Sequence, residues 1–241
     1  MEKTQVAATG HQMPAPDFEE MSRNMAQFVE EAGKAAAAYL RPLEERRAKP
    51  ALADDVGDMI KTLGQVAEQW LVEPQKAIEA QSRLGVKFMD LWVSTLKRMQ
   101  GEEPKPVAQP EPKDNRFRDP EWSENPVFDF LKQAYLITTQ WAENLVEEAD
   151  GIDERTRNKA DFYLRHLSSA LSPSNFIATN PELIRETLKQ NGANLVRGMR
   201  MLAEDIEAGK GELKMRQTDP SRFQIGVNVA NTPGKVVSAT I

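Results

Sequence analysis

The sequence predicts a mainly α protein: a helical amino-terminal extension, then a helical domain, ending in the first one or two β-strands of a sheet. Three observations predict it. Apolar residues recur at spacings of three and four along most of the 241 residues, the period of a helix face. Proline, asparagine, aspartate and glycine stand where those runs start or stop. After Phe223 the period changes to two, that of a strand.

Residues 1–17 carry small and polar types with Pro14 and Pro16 and read as a flexible tail. The extension over 18–100 follows. Its first stripe is Met21, Met25, Phe28, Ala32, Ala35, Tyr39 and Leu43, and Pro50 ends that region. A second stripe runs Met59, Leu63, Val66, Trp70. Pro74 suits the first turn of a third helix, where a missing N–H costs nothing. This third helix is broadly apolar, with Leu84, Phe88, Met89, Leu91, Trp92, Val93, Leu96 and Met99. So wide a face exceeds what one packing partner covers. Leu84, Phe88, Met89, Trp92 and Leu96 are therefore the candidate interaction surface.

GEEPKPVAQPEP, residues 101–112, holds four prolines, which block helix and sheet ladders alike. Extended, it would span roughly 37 Å at most. Residues 101–114 read as a linker and domain boundary. A helical domain over 115–212 comes next. Pro120 and Pro126 punctuate its entry loop, and Trp122 anchors it. One helix carries Phe128, Leu131, Tyr135, Thr138, Ala142 and Leu145, and Gly151 stops it. Asp153 caps the next, which presents Ala160, Leu164, Leu167 and Leu171 until Ser172-Pro173 closes it. Asn180 then caps a helix with Pro181 at its first position. Ile184, Leu188, Leu195, Met199, Leu202 and Ile206 form the last stripe, and Gly209 ends it. The stripes from Phe128 to Ile206 predict one helical body able to fold alone. Over 213–241, Phe223, Ile225, Val227 and Val229 alternate with less apolar residues, and Asn231-Thr232-Pro233-Gly234 suits a type II turn. Two strands alone are marginal in water, so they read as the edge of a larger sheet whose remainder lies outside this sequence.

Composition narrows the function classes. Mean hydropathy is −0.57, and 28% of residues are charged, with 31 basic and 37 acidic residues well mixed. No basic stripe interleaves with aromatics, so nucleic-acid binding has no electrostatic support. With no cysteine, disulfides, thiolate metal sites and a cysteine nucleophile are excluded within these residues. No apolar run approaches the roughly 18 residues of a membrane span, and the start has no apolar signal core. The expected location is the cytoplasm, with no transmembrane segment.

Catalytic constellations are equally sparse. His11 falls in the tail and His166 in a helix without carboxylate–histidine spacing, so both read as ordinary surface residues. There is no G-x-S-x-G elbow. Gly209-Lys210-Gly211 is too short for a phosphate loop and suits a helix stop. Glu147, Glu148 and Asp150 read as a solvated helix end rather than paired acids. The expected catalytic, cofactor-binding and metal residues are none, and no cofactor is expected.

LSPSNFIATNPELIRETLKQNGANLVRGMRMLAEDIEAGKG, followed by RFQIGVNVANTPGKVV, closely resembles the amino-terminal region of class I polyhydroxyalkanoate synthases. RFRDPEWSENPVFDFLKQAYL is similar to that family's entry segment. TLGQVAEQW and LGVKFMDLW resemble pieces of its amino-terminal extension. The resemblance runs from about Asn115 to Val237, and SPSNFIATNPE is its most specific part. It implies membership of a family of acyltransferases that polymerise (R)-3-hydroxyacyl-CoA to polyester with release of CoA. It also implies that the final strands open an α/β-hydrolase sheet whose domain holds a catalytic cysteine in a G-x-C-x-G-G box, with an aspartate and a histidine. None of those residues maps onto this sequence, so these residues are expected to be inactive alone. SATI stands where the family continues its sheet, which reads as truncation by frameshift, split gene or design.

Three functions follow from that resemblance. The first is a synthase module acting in polyhydroxybutyrate biosynthesis through dimerisation, support of the catalytic domain, or attachment to the polyester granule or its coat proteins. The second is a free-standing, phasin-like granule-surface protein that uses the third helix as an interfacial amphipathic element. The third is one half of a split synthase, whose edge strand pairs with a catalytic domain supplied in trans.

Overall fold

The computed structural model describes residues 15–44 and 52–209, together with residue 227. Of the tail only residues 15–17 are described, and the strands expected after Phe223 lie outside the described residues, Val227 apart. Eight α-helices are described: α1 (Phe18–Glu44), α2 (Leu52–Val72), α3 (Pro74–Met99), α4 (Glu121–Glu124), α5 (Pro126–Glu147), α6 (Glu154–Ala170), α7 (Pro181–Lys189) and α8 (Ala193–Ala208). Short 3₁₀ turns at Asn115–Phe117 and Pro173–Asn175 complete the set. Among the described residues there is no strand, and no helix is long and apolar enough to cross a membrane.

Local chemistry explains the boundaries. Pro74, Pro126 and Pro181 each begin a helix, where φ is already set and no N–H is lost. Asn125 Oδ1 accepts from Val127 N, Asp153 Oδ1 from Thr156 N, and Asn180 Oδ1 from Leu183 N, at 3.0, 3.0 and 3.1 Å. Each satisfies one orphan amide of a first turn. Gly209 closes α8 as expected.

The helices fall into two compact units. One holds α2 to α7. In it Val66, Val146, Ala149 and Ala160 form a core between α2, α5 and α6, flanked by Leu63, Trp70, Ile152 and Leu164. A second, aromatic core joins Phe117, Trp122 and Phe128, with Leu131, Tyr135 and Ile184 against it. The Phe117 and Trp122 rings meet edge to face at 5.0 Å, a favoured quadrupole arrangement. Trp70 Nε1 donates to Leu145 O at 3.0 Å. Gly151, at φ +79°, lets Gln69 approach: a Cβ there would lie 2.5 Å from Gln69 Oε1.

The other unit is an α1–α8 pair. Ala35, Ala203 and Ile206 pack there with Ala38 and Met199. Buried Glu31 lies 3.5 Å from Arg200 Nε across the pair. At the start of α8, Gly192 sits at φ +83°, and a Cβ would meet Met25 Cε at 3.2 Å.

The sequence groups these helices as bodies over 18–100 and 115–212; the two units group them by contact. Within one unit α2 and α3 pack on α5 and α6, and within the other α8 pairs with α1. Periodicity shows which face of a helix is apolar, not which helix covers it. The proline-rich stretch also departs from a free spacer. Val107 N and Ala108 N donate to Gln133 Oε1 at 2.7 and 3.1 Å, which lays the stretch against α5. Its prolines lack donors, but the residues between them keep theirs and need an acceptor.

Candidate interaction surface

α3 has two opposed faces. At 3.6 residues per turn, Ala80, Leu91 and Ser94 lie within roughly 40° of one line along the helix, and all three are buried. That face packs on α5. Trp141 Nε1 donates to Ala80 O at 3.1 Å; Trp92, from the edge of the exposed face, meets Phe130 edge-on at 6.1 Å. On the opposite side, Ile78, Met89, Trp92 and Leu96 lie within roughly 40° of a second line. Met89 is 66% exposed, Trp92 55% and Leu96 43%. Val86, Val93 and Met99 widen this exposed ridge.

The five candidate residues are thus divided by the fold. Met89, Trp92 and Leu96 stand on the exposed ridge, whereas Leu84 and Phe88 are half-buried at its margin. Leu91, which the sequence groups with them, is fully buried. Ile78 and Val86 belong to the ridge and were missed. The spacing Ile78, Ser82, Gly85, Met89, Trp92, Leu96, Met99 alternates four and three, and would have found Ile78.

Both ends of α3 are tied to residues at or beside the ends of α5. At the first turns Arg83 pairs with Glu148 at 2.5 Å, and Lys76 pairs with Asp150. Lys76 holds the Asp150 carboxyl below its ordinary range. Glu148 and Asp150 therefore serve as exposed partners of α3. At the last turn Arg98 donates to Ser123 O and lies 3.5 Å from Asp129. Asp129 is buried with Lys132 and Gln133. Lys132 Nζ reaches Asp129 Oδ1 at 3.0 Å and Trp122 O at 2.6 Å, and Gln133 Nε2 donates to Asp129 Oδ2 at 2.7 Å. Asp129 and Lys132 are paired and hydrogen-bonded, as burial demands, whereas the buried Arg98 Nε faces Asp129 without a hydrogen bond.

A separate cleft of about 600 Å³ opens between the 107–116 segment, α5 and α6. Arg116 dominates it. Its guanidinium lies 5.4 and 5.3 Å from the Phe117 and Tyr135 ring centres and is held by Asp114 at 2.8 Å. It also donates to Tyr135 Oη at 2.7 Å, and that hydroxyl donates to Ser168 O at 2.9 Å. Arg116 holds the Asp114 carboxyl below its usual range, and Asp114 in turn raises the guanidinium. Arg116 thereby knits three segments together. Lys87, Lys113 and Arg165 alternate around the rim with Glu111 and Glu143, so the cleft favours neither sign of charge. His166 is exposed, its Nδ1 2.8 Å from Phe162 O. No group of three metal-ligating side chains occurs among the described residues.

Known proteins give this chain a family context. A family model described as the poly-beta-hydroxybutyrate polymerase (PhaC) N-terminus matches residues 113–240. The chain is 54% identical over 230 residues to a poly(3-hydroxyalkanoate) polymerase of Methylorubrum extorquens, covering 92% of this chain and 38% of that protein. It is 52% identical over 222 residues to the poly(3-hydroxyalkanoate) polymerase subunit PhaC of Rhizobium meliloti, covering 92% of this chain and 36% of that one. The chain thus spans little more than a third of the length of these curated relatives. No solved structure matches it. With the family model matching more than half of its residues, the chain belongs to the poly-beta-hydroxybutyrate polymerase N-terminus family.

Proposed function

We propose that these residues act in polyhydroxyalkanoate biosynthesis as the amino-terminal module of a polymerase, and that they hold it at the polyester surface through the exposed ridge of α3. The observation that carries this reading is the opposition of the two α3 faces. One face packs against α5, and the other presents Met89 and Leu96 to solvent, with Trp92 half exposed beside Phe130. An amphipathic helix fixed to a rigid support buries such a ridge in an apolar–water boundary. Methionine adapts to an irregular partner such as an amorphous polymer. The chemistry of acyl transfer belongs elsewhere, since a thioester route needs a thiolate and this sequence has no cysteine.

The test is binding to polyhydroxybutyrate beads. Met89→Gln, Trp92→Gln and Leu96→Gln together should weaken adsorption at least tenfold and leave helix content unchanged, because all three side chains are exposed. Phe88→Gln is a poorer probe, since its half-buried ring mixes release with unpacking. Unchanged adsorption would remove the reading. The alternation of fours and threes along the ridge supports a second one, in which α3 meets the same helix of a second copy. Sedimentation at micromolar concentration separates the two: a monomer that binds beads leaves only the surface reading.

A further inference from the structure

The turn between α6 and α7 is built differently from the other connections. Its polar side chains bond inward. Ser172 and Ser174 hydroxyls meet at 2.8 Å. Asn175 Nδ2 donates to Ser169 O and Ala170 O at 2.7 and 3.1 Å, tying the turn to the carboxyl end of α6. Thr179 Oγ1 donates to Pro173 O at 2.6 Å and Asn180 Nδ2 to Ser174 O at 2.7 Å. The backbone N–H groups of Thr179 and Asn180 both donate to Phe176 O, at 3.1 and 2.9 Å. Ser172 is fully buried. The large apolar side chains of the same stretch do the reverse: Leu171, Phe176 and Ile177 are each about half exposed.

Charge is missing there as well. No charged residue occurs from Leu167 to Pro181, in a chain of which 28% is charged. Charge depletion with aromatic and aliphatic anchors is the composition of the centre of a protein–protein interface. Anchors held in place before binding lose little conformational entropy on docking, as binding hot spots require. A membrane or a polyanion would call for a basic fringe, and the stretch has none.

We infer that Leu171, Phe176 and Ile177 are a preformed dock for the carboxy-terminal part of the polymerase. The family model that spans this turn is that of a polymerase amino terminus. The relatives of Methylorubrum extorquens and Rhizobium meliloti have most of their length outside the matched region, 38% and 36% being covered. That remainder is the protein surface always present beside this module in such a polymerase. The inference rests on family membership and stands apart from the reading of α3.

The chain has no cysteine, so Ile177→Cys supplies a single thiol for an environment-sensitive fluorophore. The labelled full chain is titrated with the carboxy-terminal part of the Methylorubrum extorquens polymerase, expressed without its matched region. A saturable blue shift is expected. Phe176→Ser with Leu171→Ser should raise the apparent Kd at least tenfold, read on unlabelled chain by calorimetry. The α3 triple variant, deficient in bead binding if that reading holds, should dock like wild type. Complex formation without a blue shift would place the dock elsewhere and overturn the inference, as would no complex at all. A blue shift that grows with the concentration of the labelled chain alone would overturn it in favour of self-association. If the double variant fails to fold, the shift of the singly labelled chain decides.

Discussion

Replacing Gln133 by alanine tests whether the proline-rich segment is a fixed part of the α2–α7 unit. The Gln133 side chain is fully buried. Its Oε1 is the acceptor for Val107 N and Ala108 N, and its Nε2 is one of the donors to Asp129. Alanine removes all three bonds. A buried donor left without a partner costs about 1–3 kcal/mol. Val107 and Ala108 are half-buried, so water reaches them and each sits near the lower bound. Asp129 keeps Lys132 at 3.0 Å, which limits its own loss. The expected total is about 2–4 kcal/mol, or roughly 5–15 °C in Tm for a unit of this size. Urea unfolding followed by circular dichroism measures the loss. Amide exchange over residues 103–112 locates it, and the Val107 and Ala108 amides should exchange much faster in the variant. A loss below about 0.5 kcal/mol with unchanged exchange would refute the reasoning, because the segment would then be held by something other than this clasp.

Two further tests address the faces of α3 and the acid limb of stability. Leu91→Ala should cost about 2–5 kcal/mol as a fully buried truncation, whereas Met89→Ala on the opposed face should cost under about 0.5 kcal/mol; equal costs by urea unfolding would mean the faces are misassigned. Asp114 titrates below its ordinary range because Arg116 hydrogen-bonds the carboxylate. The native state then binds fewer protons than the unfolded chain, so this stabilisation is present above the unfolded pKa near 4 and is lost as pH falls below it. Asp114→Asn should flatten the fall in urea midpoint between pH 5 and pH 3, and parallel curves for the two proteins would contradict that.

Most helix boundaries named from the sequence were legible because their causes are local, but the break at Asn191 and Gly192 (φ +49° and +83°), which divides the stripe expected from Ile184 to Ile206 between α7 and α8, was missed. Asp153, Asn180, Pro74 and Pro181 act within one turn of themselves, and each does in the fold what its residue type dictates; Gly209 ends α8 at φ −79°, a conformation that any residue adopts. Asn125 acts the same way and was missed, although an Asn-Pro pair before an apolar run announces it. Partner choice was not legible. Nothing local tells α8 to pair with α1, and the pairing turns on a long-range fit: Gly192 leaves room for Met25, 167 positions earlier in the chain by the numbering. The stripe on α6 shows the same limit. Ala160 and Leu164 pack into the core, while Leu167 is about one third exposed and Leu171 more than half exposed. The candidate surface was half legible, since a broad apolar helix is recognisable from its sequence, but which side faces α5 depends on Trp141 and Asp129 in a distant segment.

The four tryptophans turn this division of faces into an optical property. Trp70 and Trp141 are tethered through their indole N–H groups to Leu145 O and Ala80 O, and Trp122 is enclosed by Phe117 and Phe128. Trp92, on the ridge, is the one most open to solvent. Acrylamide should therefore quench a single red-shifted component of the emission, and that component is Trp92. An apolar surface settling on α3 would shield it and shift it to the blue, without any added dye. Docking at the α6–α7 turn, which holds no tryptophan, would leave the same spectrum unchanged. The molecule thus reports in its own fluorescence which of its two apolar surfaces has been occupied.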